Sequence, residues 1–376
     1  MMQRPLVSAD DLAGPDGPAW FNEMFATAGR DDAAQVTAAT AQRIGTGQVG
    51  ESVRFELHWD TPGAGPASVV GKFPSDDPQT RATARMVQTY EREYGFYAEV
   101  QPRVALATPR VHHVHIDPPT GDFTLIMEDL RSATQGDQLS GCSLDDALTI
   151  ATAAAGLHAP TWPLTETCGD IGWLVPPDPA GIADRAALYR ALTDGFIERY
   201  GTRLGPDVIE TVRWLGPRIE AVQATIAGLG RIGHCVTHND FRLDNMLFAD
   251  GSDAARLTTV DWQTVAGGYG PVDLAYSIGS ALLPDERRAH EVIIFEHYLD
   301  RWAEYAAADR VLEVSDSAVR AEMWDAYRLG STTGLGMAVV ASMIVGRTER
   351  GDEMFCVMAE RHADQMDALG VVDLID

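Results

Sequence analysis

The segment with the clearest chemical pattern reads HNDFRLDN, and its central carboxylate is Asp240. Asp240 stands two residues after His238 and five residues before Asn245. Two strand-like runs separated by a turn follow, and the second run ends at Asp261. Phosphoryl transfer needs a carboxylate to accept a hydroxyl proton, and oxygen ligands for Mg²⁺. These residues supply both in order, whereas an ordinary Asp- and Asn-rich turn would supply only parts of the pattern.

A glycine-rich segment, GTGQVG at residues 45–50, matches G-x-G-x-x-G. This motif occurs in dinucleotide-binding folds and in kinases alike. In dinucleotide binders the glycines open a helix, but here residues 52–59 alternate as a strand does. We therefore expect a hairpin in which Gly45, Gly47 and Gly50 let backbone N–H groups approach a phosphate. The alternative is an ordinary glycine-rich turn.

Lys72 is the only lysine of the chain, against 28 arginines, and it lies in a strand-like run, SVVGKF. This isolation suggests a position that arginine's planar group does not fit, although chance retention is the simpler alternative. A buried ammonium needs a carboxylate partner. Glu93 falls on the apolar side of a helix predicted from about residue 80 to residue 100, so we expect a Lys72–Glu93 ion pair rather than a glutamate that reaches out to water. The apolar arc of that helix comprises Met86, Val87, Tyr90, Tyr94, Phe96, Tyr97 and Val100.

The composition indicates a globular protein and narrows its possible partners. Of the 376 residues, 45% are hydrophobic and the net charge is −26, which argues against nucleic acid or an anionic membrane as the main partner. No apolar run reaches the length of a membrane span or resembles a leader segment, so we expect a cytoplasmic protein. The four cysteines stand far apart, which favours reduced thiols over disulfides.

The secondary-structure pattern changes near residue 130. Residues 1–129 contain strand patterns and one main helix after a short N-terminal helix at residues 18–28, whereas residues 130–376 are mostly helical. This pattern predicts an α+β fold with a small antiparallel-sheet lobe and a larger helical lobe. The strands are expected at residues 53–59, 67–73, 111–116, 123–127, 246–248 and 257–260, with a further one around Val236. The helices of the second lobe are expected at residues 144–157, 182–200, 206–229, 285–308, 317–346 and 354–369.

Between residues 44 and 273 these motifs resemble the aminoglycoside phosphotransferase-like kinases, most closely their ecdysteroid-kinase-like and bacterial uncharacterised phosphotransferase branch. The resemblance implies a bilobal protein-kinase-like fold. It also implies an ATP- and Mg²⁺-dependent kinase that phosphorylates a hydroxyl group of a small molecule. By the same resemblance Asp240 is the catalytic base, and Asn245 and Asp261 hold Mg²⁺.

The resemblance also implies roles for residues around these three. Lys72, paired with Glu93, would contact the α- and β-phosphates of ATP, and His238 would brace the catalytic loop. Asp273 would hydrogen-bond that loop from below. Arg242 could neutralise charge on the transferred phosphoryl group, with a surface salt bridge as its alternative. The remaining nucleotide-binding candidates are Gly45, Gly47, Gly50, Ser52, Glu128 and Leu130, of which the last two would meet adenine through their backbones.

The segment after Asp261 bears on the kind of acceptor. Trp262 and Gln263 follow it, and only nine residues separate Gln263 from Asp273, which leaves no room for a long activation loop. This favours a constitutively assembled site and a small-molecule acceptor. An alternative is a catalytically silent nucleotide-binding protein with a kinase-like fold. Candidate acceptor-lining residues, each also a candidate core aromatic, are Trp162, Trp173, Tyr269, Trp302, Tyr305, Trp324 and Tyr327.

Overall fold

The computed structural model of the chain describes residues 7–27, 34–45, 49–249 and 256–375. The described residues form two compact units. Unit 1 comprises Met1–Pro102, Thr108–Ser132 and Val260–Thr264; unit 2 comprises Arg103–Ala107, Ala133–Thr259 and Val265–Asp376. Residues 103–107 and 260–264 belong to a different unit from the residues on either side of them. The second of these segments carries Asp261.

Unit 1 is built on a five-stranded antiparallel sheet with the strand order β1-β2-β3-β5-β4. Its strands are β1 Val36–Arg43, β2 Gly50–Trp59, β3 Ser68–Pro74, β4 Val111–Asp117 and β5 Asp122–Glu128. Sequence patterns predicted all of them except β1. That strand lies at the edge of the sheet, and Val36 is its one buried residue, so it lacks the alternation that marks a half-buried strand.

In the described part of unit 1 this sheet is accompanied by the helices α1 Ala9–Ala13, α2 Gly17–Thr27, α3 Pro78–Met86 and α4 Thr89–Gly95. Helix α2 confirms the predicted N-terminal helix, and its Phe21, Met24 and Phe25 belong to one buried cluster with Val53 and Phe55 of β2. Burial of these apolar side chains attaches the N-terminal segment to the sheet.

The helix predicted over residues 80–100 is not continuous. Helix α3 ends at Met86, and Gln88 takes a left-handed conformation with φ 58° before α4 begins. After α4 the backbone continues as a π-helical turn at Phe96–Val100 and a 3₁₀ turn at Gln101–Arg103. A single left-handed residue redirects a right-handed helix, which is why one helical period does not describe the whole segment.

This break corrects part of the expected apolar arc. Met86 and Val87, which precede the break, are 77% and 53% exposed. Tyr90, Phe96, Tyr97 and Val100, which follow it, are buried as expected. The core-facing stripe therefore begins only at α4, the helix that carries Glu93.

Unit 2 is mainly helical. Its helices are α5 Leu144–His158, α6 Leu164–Thr167, α7 Pro179–Tyr200, α8 Pro206–Leu215, α9 Ile219–Ala227, α10 Gly270–Ala281, α11 Pro284–Tyr305, α12 Ser317–Ile344, α13 Glu349–Ala368 and α14 Val372–Ile375. Its short strands are β6 Thr134–Gln135, β7 Cys235–Thr237, β8 Met246–Phe248, β9 Leu257–Thr259 and β10 Ala266–Gly268. The helix expected over residues 206–229 is divided by a 3₁₀ turn at Gly216–Arg218, where Pro217 lacks the N–H that a continuous helix needs.

The centre of unit 2 is α10. Every residue of this helix except Val272 is buried. Its polar side chains therefore need partners inside the protein, and two of them, Asp273 and Tyr276, contact the segment that contains Asp240.

The α+β class and the antiparallel sheet confirm the predicted fold class. All four cysteines are free thiols, as expected. None of the described helices has the length and hydropathy that a membrane span needs.

Candidate active site

Lys72 lies in the middle of the unit 1 sheet, directly opposite Ser52 of β2 and Leu125 of β5. Its Nζ donates to Glu93 Oε1 at 2.6 Å, which confirms the predicted ion pair. It also donates to Asp261 Oδ1 at 2.9 Å, a second partner that the sequence did not reveal. We refer to Lys72, Glu93 and Asp261 as the Lys72 cluster.

The two carboxylates keep the ammonium of Lys72 charged. Burial alone would lower the pKa of Lys72, but the charges of Asp261 and Glu93 outweigh burial and raise it above its usual value. The Lys72 side chain is 20% exposed, against 3% for Glu93. The cluster thus holds a charged ammonium between Glu93, a buried carboxyl group whose pKa is raised by burial, and Asp261, a more accessible carboxyl group whose side chain is 26% exposed.

Asp261 occupies a constrained position. Its φ is +70°, in the left-handed region that non-glycine residues seldom adopt, and its Oδ2 accepts a hydrogen bond from Gln263 Nε2 at 2.9 Å. The next residue, Trp262, donates its backbone N–H to Glu93. Its ring is fully buried and stacks on Phe96, with the ring centroids 3.5 Å apart and the planes 3° from parallel. Asp261 is therefore anchored to the helical segment that carries Glu93.

Gly45 and Gly50, the described glycines of the predicted lid, each occupy a position that disfavours a side chain. Gly45 has φ +71°, a conformation that glycine adopts without strain. At Gly50 a Cβ would lie 2.9 Å from the carbonyl oxygen of Phe73, so a side chain would collide with the neighbouring strand. Gly47 lies outside the described residues.

Glu128 and Leu130, the residues expected to meet adenine, flank a buried carboxylate. Asp129 is 3% exposed at its side chain and accepts hydrogen bonds from Arg54 Nε at 2.7 Å and from Ser68 Oγ at 2.6 Å. Burial would raise the pKa of Asp129, but these donors outweigh it, and the pKa lies below its usual value. Sequence reasoning missed this anchor, although the three residues are adjacent.

In unit 2 the loop after β7 is fixed by Asp273 of α10. The Asp273 carboxylate accepts the backbone N–H of His238 at 2.8 Å and that of Asn239 at 2.9 Å, the hydrogen bonding expected of this residue. Within the loop, Asp240 donates its backbone N–H to His238 Nδ1 at 3.2 Å. Burial would raise the pKa of Asp273, but His158 and His238 outweigh it, so the pKa is lowered and the carboxylate stays ionised.

The carboxylate of Asp240 accepts three side-chain hydrogen bonds. Oδ1 accepts from Tyr276 Oη at 2.7 Å and from Arg242 Nε at 3.0 Å, and Oδ2 accepts from Asn245 Nδ2 at 2.9 Å. Asn245 Nδ2 also donates to the Asp240 carbonyl oxygen at 2.9 Å. Since the amide nitrogen of Asn245 faces Asp240, its amide oxygen is the atom that can serve as a metal ligand. We refer to Asp240, Tyr276, Arg242 and Asn245 as the Asp240 network.

Arg242 is paired on two sides. Besides Asp240 it contacts Asp244, whose Oδ2 accepts from Arg242 Nη1 at 2.7 Å. Asp244 in turn accepts two hydrogen bonds from Arg350, each 2.9 Å long. The Arg242 side chain is only 19% exposed, so it lies in a mostly buried ion-pair network rather than in a surface salt bridge.

The candidate metal ligands fit Mg²⁺ by donor type. Among the described residues there is no group of three or more His, Cys, Asp or Glu that could hold a metal by itself. Mg²⁺ is commonly bound through one or two protein oxygens together with phosphates and water. The carboxylate of Asp261 and the amide oxygen of Asn245 are each an oxygen donor of that type.

The aromatic residues considered for acceptor binding are largely used for packing. Trp302 and Tyr327 are buried in the core, and Trp324 stacks on Tyr327 with the planes 9° from parallel. Tyr276 is the aromatic residue that contacts the candidate base, and sequence reasoning missed it. It follows Asp273 by three residues, a spacing that places both side chains on one face of a helix and could have indicated it.

Comparison with known protein families matches residues 231–308 to the ecdysteroid kinase-like family. The matched segment contains the whole Asp240 network and α10. No curated protein sequence matches the chain significantly.

Solved structures resemble the chain over most of its length. The GDP and kanamycin complex of APH(2")-IIIa, an aminoglycoside phosphotransferase, superposes with a TM-score of 0.50 at 12% identity, covering 91% of this chain and 98% of that one. The ethanolamine kinase of Plasmodium vivax has a TM-score of 0.49 at 9% identity, with 86% and 81% covered. A putative aminoglycoside phosphotransferase from Ralstonia eutropha has a TM-score of 0.43 at 14% identity, with 88% and 92% covered. The chain thus has the fold of the aminoglycoside phosphotransferase-like kinase superfamily, and its segment 231–308 is similar to the ecdysteroid kinase-like family.

Proposed function

We propose that this protein is an ATP- and Mg²⁺-dependent kinase that phosphorylates a hydroxyl group of a small molecule. The observation that carries the proposal is the Lys72 ammonium held between Glu93 and Asp261. A lysine kept charged in this way supplies a point charge for the phosphates of a nucleotide. Asp261 would supply an oxygen ligand to the metal, and Gly45 and Gly50 would allow close approach of the backbone to phosphate.

Asp240 is the proposed base. Its carboxylate would accept the proton of the acceptor hydroxyl while the hydroxyl oxygen forms a bond to the γ-phosphorus. The bond from that phosphorus to the β,γ-bridging oxygen breaks, and ADP leaves. Bound Mg²⁺ would neutralise developing phosphate charge, with Asn245 and Asp261 each supplying an oxygen ligand. Arg242, beside the base, would add positive charge.

The fold and the family similarity support this proposal. The ecdysteroid kinase-like family is similar over the segment that contains Asp240 and Asn245. The aminoglycoside phosphotransferase of similar fold was solved with GDP and kanamycin, a nucleotide and a small molecule. The short connection from Asp261 to Asp273 also favours a small-molecule acceptor, because it has no room for a long regulatory loop.

The test has two stages. Isothermal titration calorimetry first measures binding of Mg-ATP and Mg-GTP, with and without EDTA. ADP release is then followed against aminoglycosides, macrolides, steroids, sugars, amino alcohols and hydroxyacyl thioesters, with Asp240→Asn as the inactive control. We expect Mg-ATP binding that EDTA abolishes, and turnover with at least one acceptor class. Binding without transfer to any acceptor would indicate a catalytically silent nucleotide-binding protein, and absence of nucleotide binding would overturn the proposal.

A further inference from the structure

Tyr276 is a buried side chain that contacts the proposed base directly. It lies on α10, is 1% exposed, and donates its hydroxyl to Asp240 Oδ1 at 2.7 Å. Burial and the neighbouring charge of Asp240 raise the pKa of Tyr276 well above its usual value. The phenol therefore stays protonated and acts as a permanent donor. Because it is buried, it is not placed to touch an acceptor molecule.

The ring of Tyr276 is held from behind by α13. It stacks on His362, with ring centroids 5.9 Å apart and planes 18° from parallel. His362 Nδ1 lies 3.1 Å from Gln365 Oε1, and Gln365 Nε2 donates to Glu291 Oε1 at 2.9 Å. A Cβ on Gly334 of α12 would overlap the imidazole, so this glycine makes room for it. These contacts leave Tyr276 little freedom to turn.

The donors on Asp240 are distributed unequally between its two oxygens. Oδ1 accepts two hydrogen bonds, from Tyr276 and Arg242, whereas Oδ2 accepts one, from Asn245. A carboxylate oxygen offers about two lone-pair positions. Among the described residues, Oδ1 is thus fully used and Oδ2 retains capacity for one further donor, such as an acceptor hydroxyl.

We infer that Tyr276 is a positioning residue whose hydroxyl fixes the rotation of the Asp240 carboxylate, so that Oδ2 is the oxygen that receives the acceptor proton. The inference rests on the proposed function. Without the hydroxyl, Oδ1 keeps only Arg242, and the carboxylate can rotate about its Cβ–Cγ bond. Fewer enzyme molecules then hold the base in the productive orientation, which lowers turnover without changing how tightly the nucleotide binds.

The test compares Tyr276→Phe with a matched control, Tyr189→Phe. Both substitutions remove one buried hydroxyl from unit 2, but the hydroxyl of Tyr189 in α7 donates to the Val212 carbonyl oxygen at 2.9 Å, whereas that of Tyr276 donates to Asp240. The readout is ADP release from Mg-ATP, with the acceptor identified in the panel or with water alone. For Tyr276→Phe we expect kcat to fall about tenfold while KM for ATP stays within about twofold. For Tyr189→Phe we expect wild-type values of both.

Each other outcome is informative. An unchanged kcat in Tyr276→Phe would overturn the inference, as would an equal loss in Tyr189→Phe. Failure of Tyr276→Phe to fold would assign the hydroxyl to stability and would also overturn it. If the wild type shows no turnover, the proposed function fails, and a double-mutant cycle on the unfolding free energy of Tyr276→Phe and Asp240→Ala, which removes the accepting oxygen, still tests the contact. Non-additive effects are expected there, and additive effects would exclude the contact.

Discussion

The Lys72 cluster and the Asp240 network solve the same problem, a functional charge inside a protein, in different ways. Lys72 is held by two carboxyl groups, so every member of its cluster is an ionisable side chain. Asp240 has one ionic partner, Arg242, and two neutral donors, Tyr276 and Asn245. Removing Lys72 leaves two acidic groups with no cation between them, whereas removing one neutral donor from Asp240 leaves a carboxylate that is still partnered. A single substitution in the Lys72 cluster should therefore reduce turnover strongly, whereas substitution of one partner of Asp240 should reduce it only partly.

The largest expected effect comes from removing the base itself. Asp240→Asn keeps the side-chain shape but cannot accept the hydroxyl proton, so turnover should fall by roughly 10²–10⁴-fold. Mg-ATP affinity measured by calorimetry and the thermal midpoint should stay close to wild type. Full activity in this variant would show that another group is the base. The smaller effects expected for the partners of Asp240 could then not be compared with loss of the base.

The Lys72 cluster provides the next test. Lys72→Met removes the cation from between Glu93 and Asp261, so turnover should fall by roughly 10²–10³-fold. In contrast to Asp240→Asn, Mg-ATP binding should weaken as well. Lys72→Arg is the matched variant, because it keeps the charge but replaces a compact ammonium by a planar group. We expect it to remain clearly impaired, and near-normal turnover would show that charge alone suffices at this position.

The two regions also differ in how far the sequence predicts them. The Lys72–Glu93 pair joins a strand and a helix that are close in the chain, and each has a recognisable period, so the pair could be predicted. The contact of Tyr276 with Asp240 depends on how α10 packs beneath the loop, and that of His362 with Tyr276 on how α13 packs on α10. Contacts between distant elements follow from tertiary packing, which a local pattern does not encode.

The fold shows the same division. Periodic segments such as α5 and β5 were predicted nearly to the residue. Edge strand β1 was missed because its exposed faces carry no alternation, and the helix break at Gln88 was missed because neither glycine nor proline marks it. Candidate residues within motifs were found by type and spacing. Their partners in other elements, such as Tyr276 for Asp240, were not.

The pH dependence of stability tests the packing of His362, which stacks on Tyr276 of the Asp240 network. Burial lowers the pKa of His362 to about 3, whereas in the unfolded chain a histidine takes up a proton below about pH 6.5. The pKa of His362 is thus lower in the folded chain than in the unfolded chain. The contribution of buried, neutral His362 to the free energy of unfolding is therefore complete above about pH 6.5 and is lost as the pH falls toward 3. The slope is at most about 1.4 kcal/mol per pH unit.

His362→Gln should remove this contribution. Urea unfolding at pH 6, 5 and 4 should show a shallower dependence of the unfolding free energy on pH, by about one proton, than in the wild type. Tyr189→Phe serves as the control, since it changes a buried side chain without removing a group that titrates in this range. An identical slope in His362→Gln and wild type would mean that His362 is protonated in the folded protein.

The smallest effect is expected at the exposed end of the Asp240 network. Arg350 is 52% exposed and is connected to the base through Asp244 and Arg242. Exposed ion pairs contribute about 0–1 kcal/mol, because solvent screens them and ordering two long side chains costs entropy. In Arg350→Ala, Asp244 keeps its hydrogen bond from Arg242, so the guanidinium beside Asp240 stays in place. Turnover should therefore fall less than about threefold, with a thermal midpoint near that of the wild type. A loss as large as that of Lys72→Met would mean that the Asp240 network is as sensitive to substitution as the Lys72 cluster, and the contrast between the two regions would not hold.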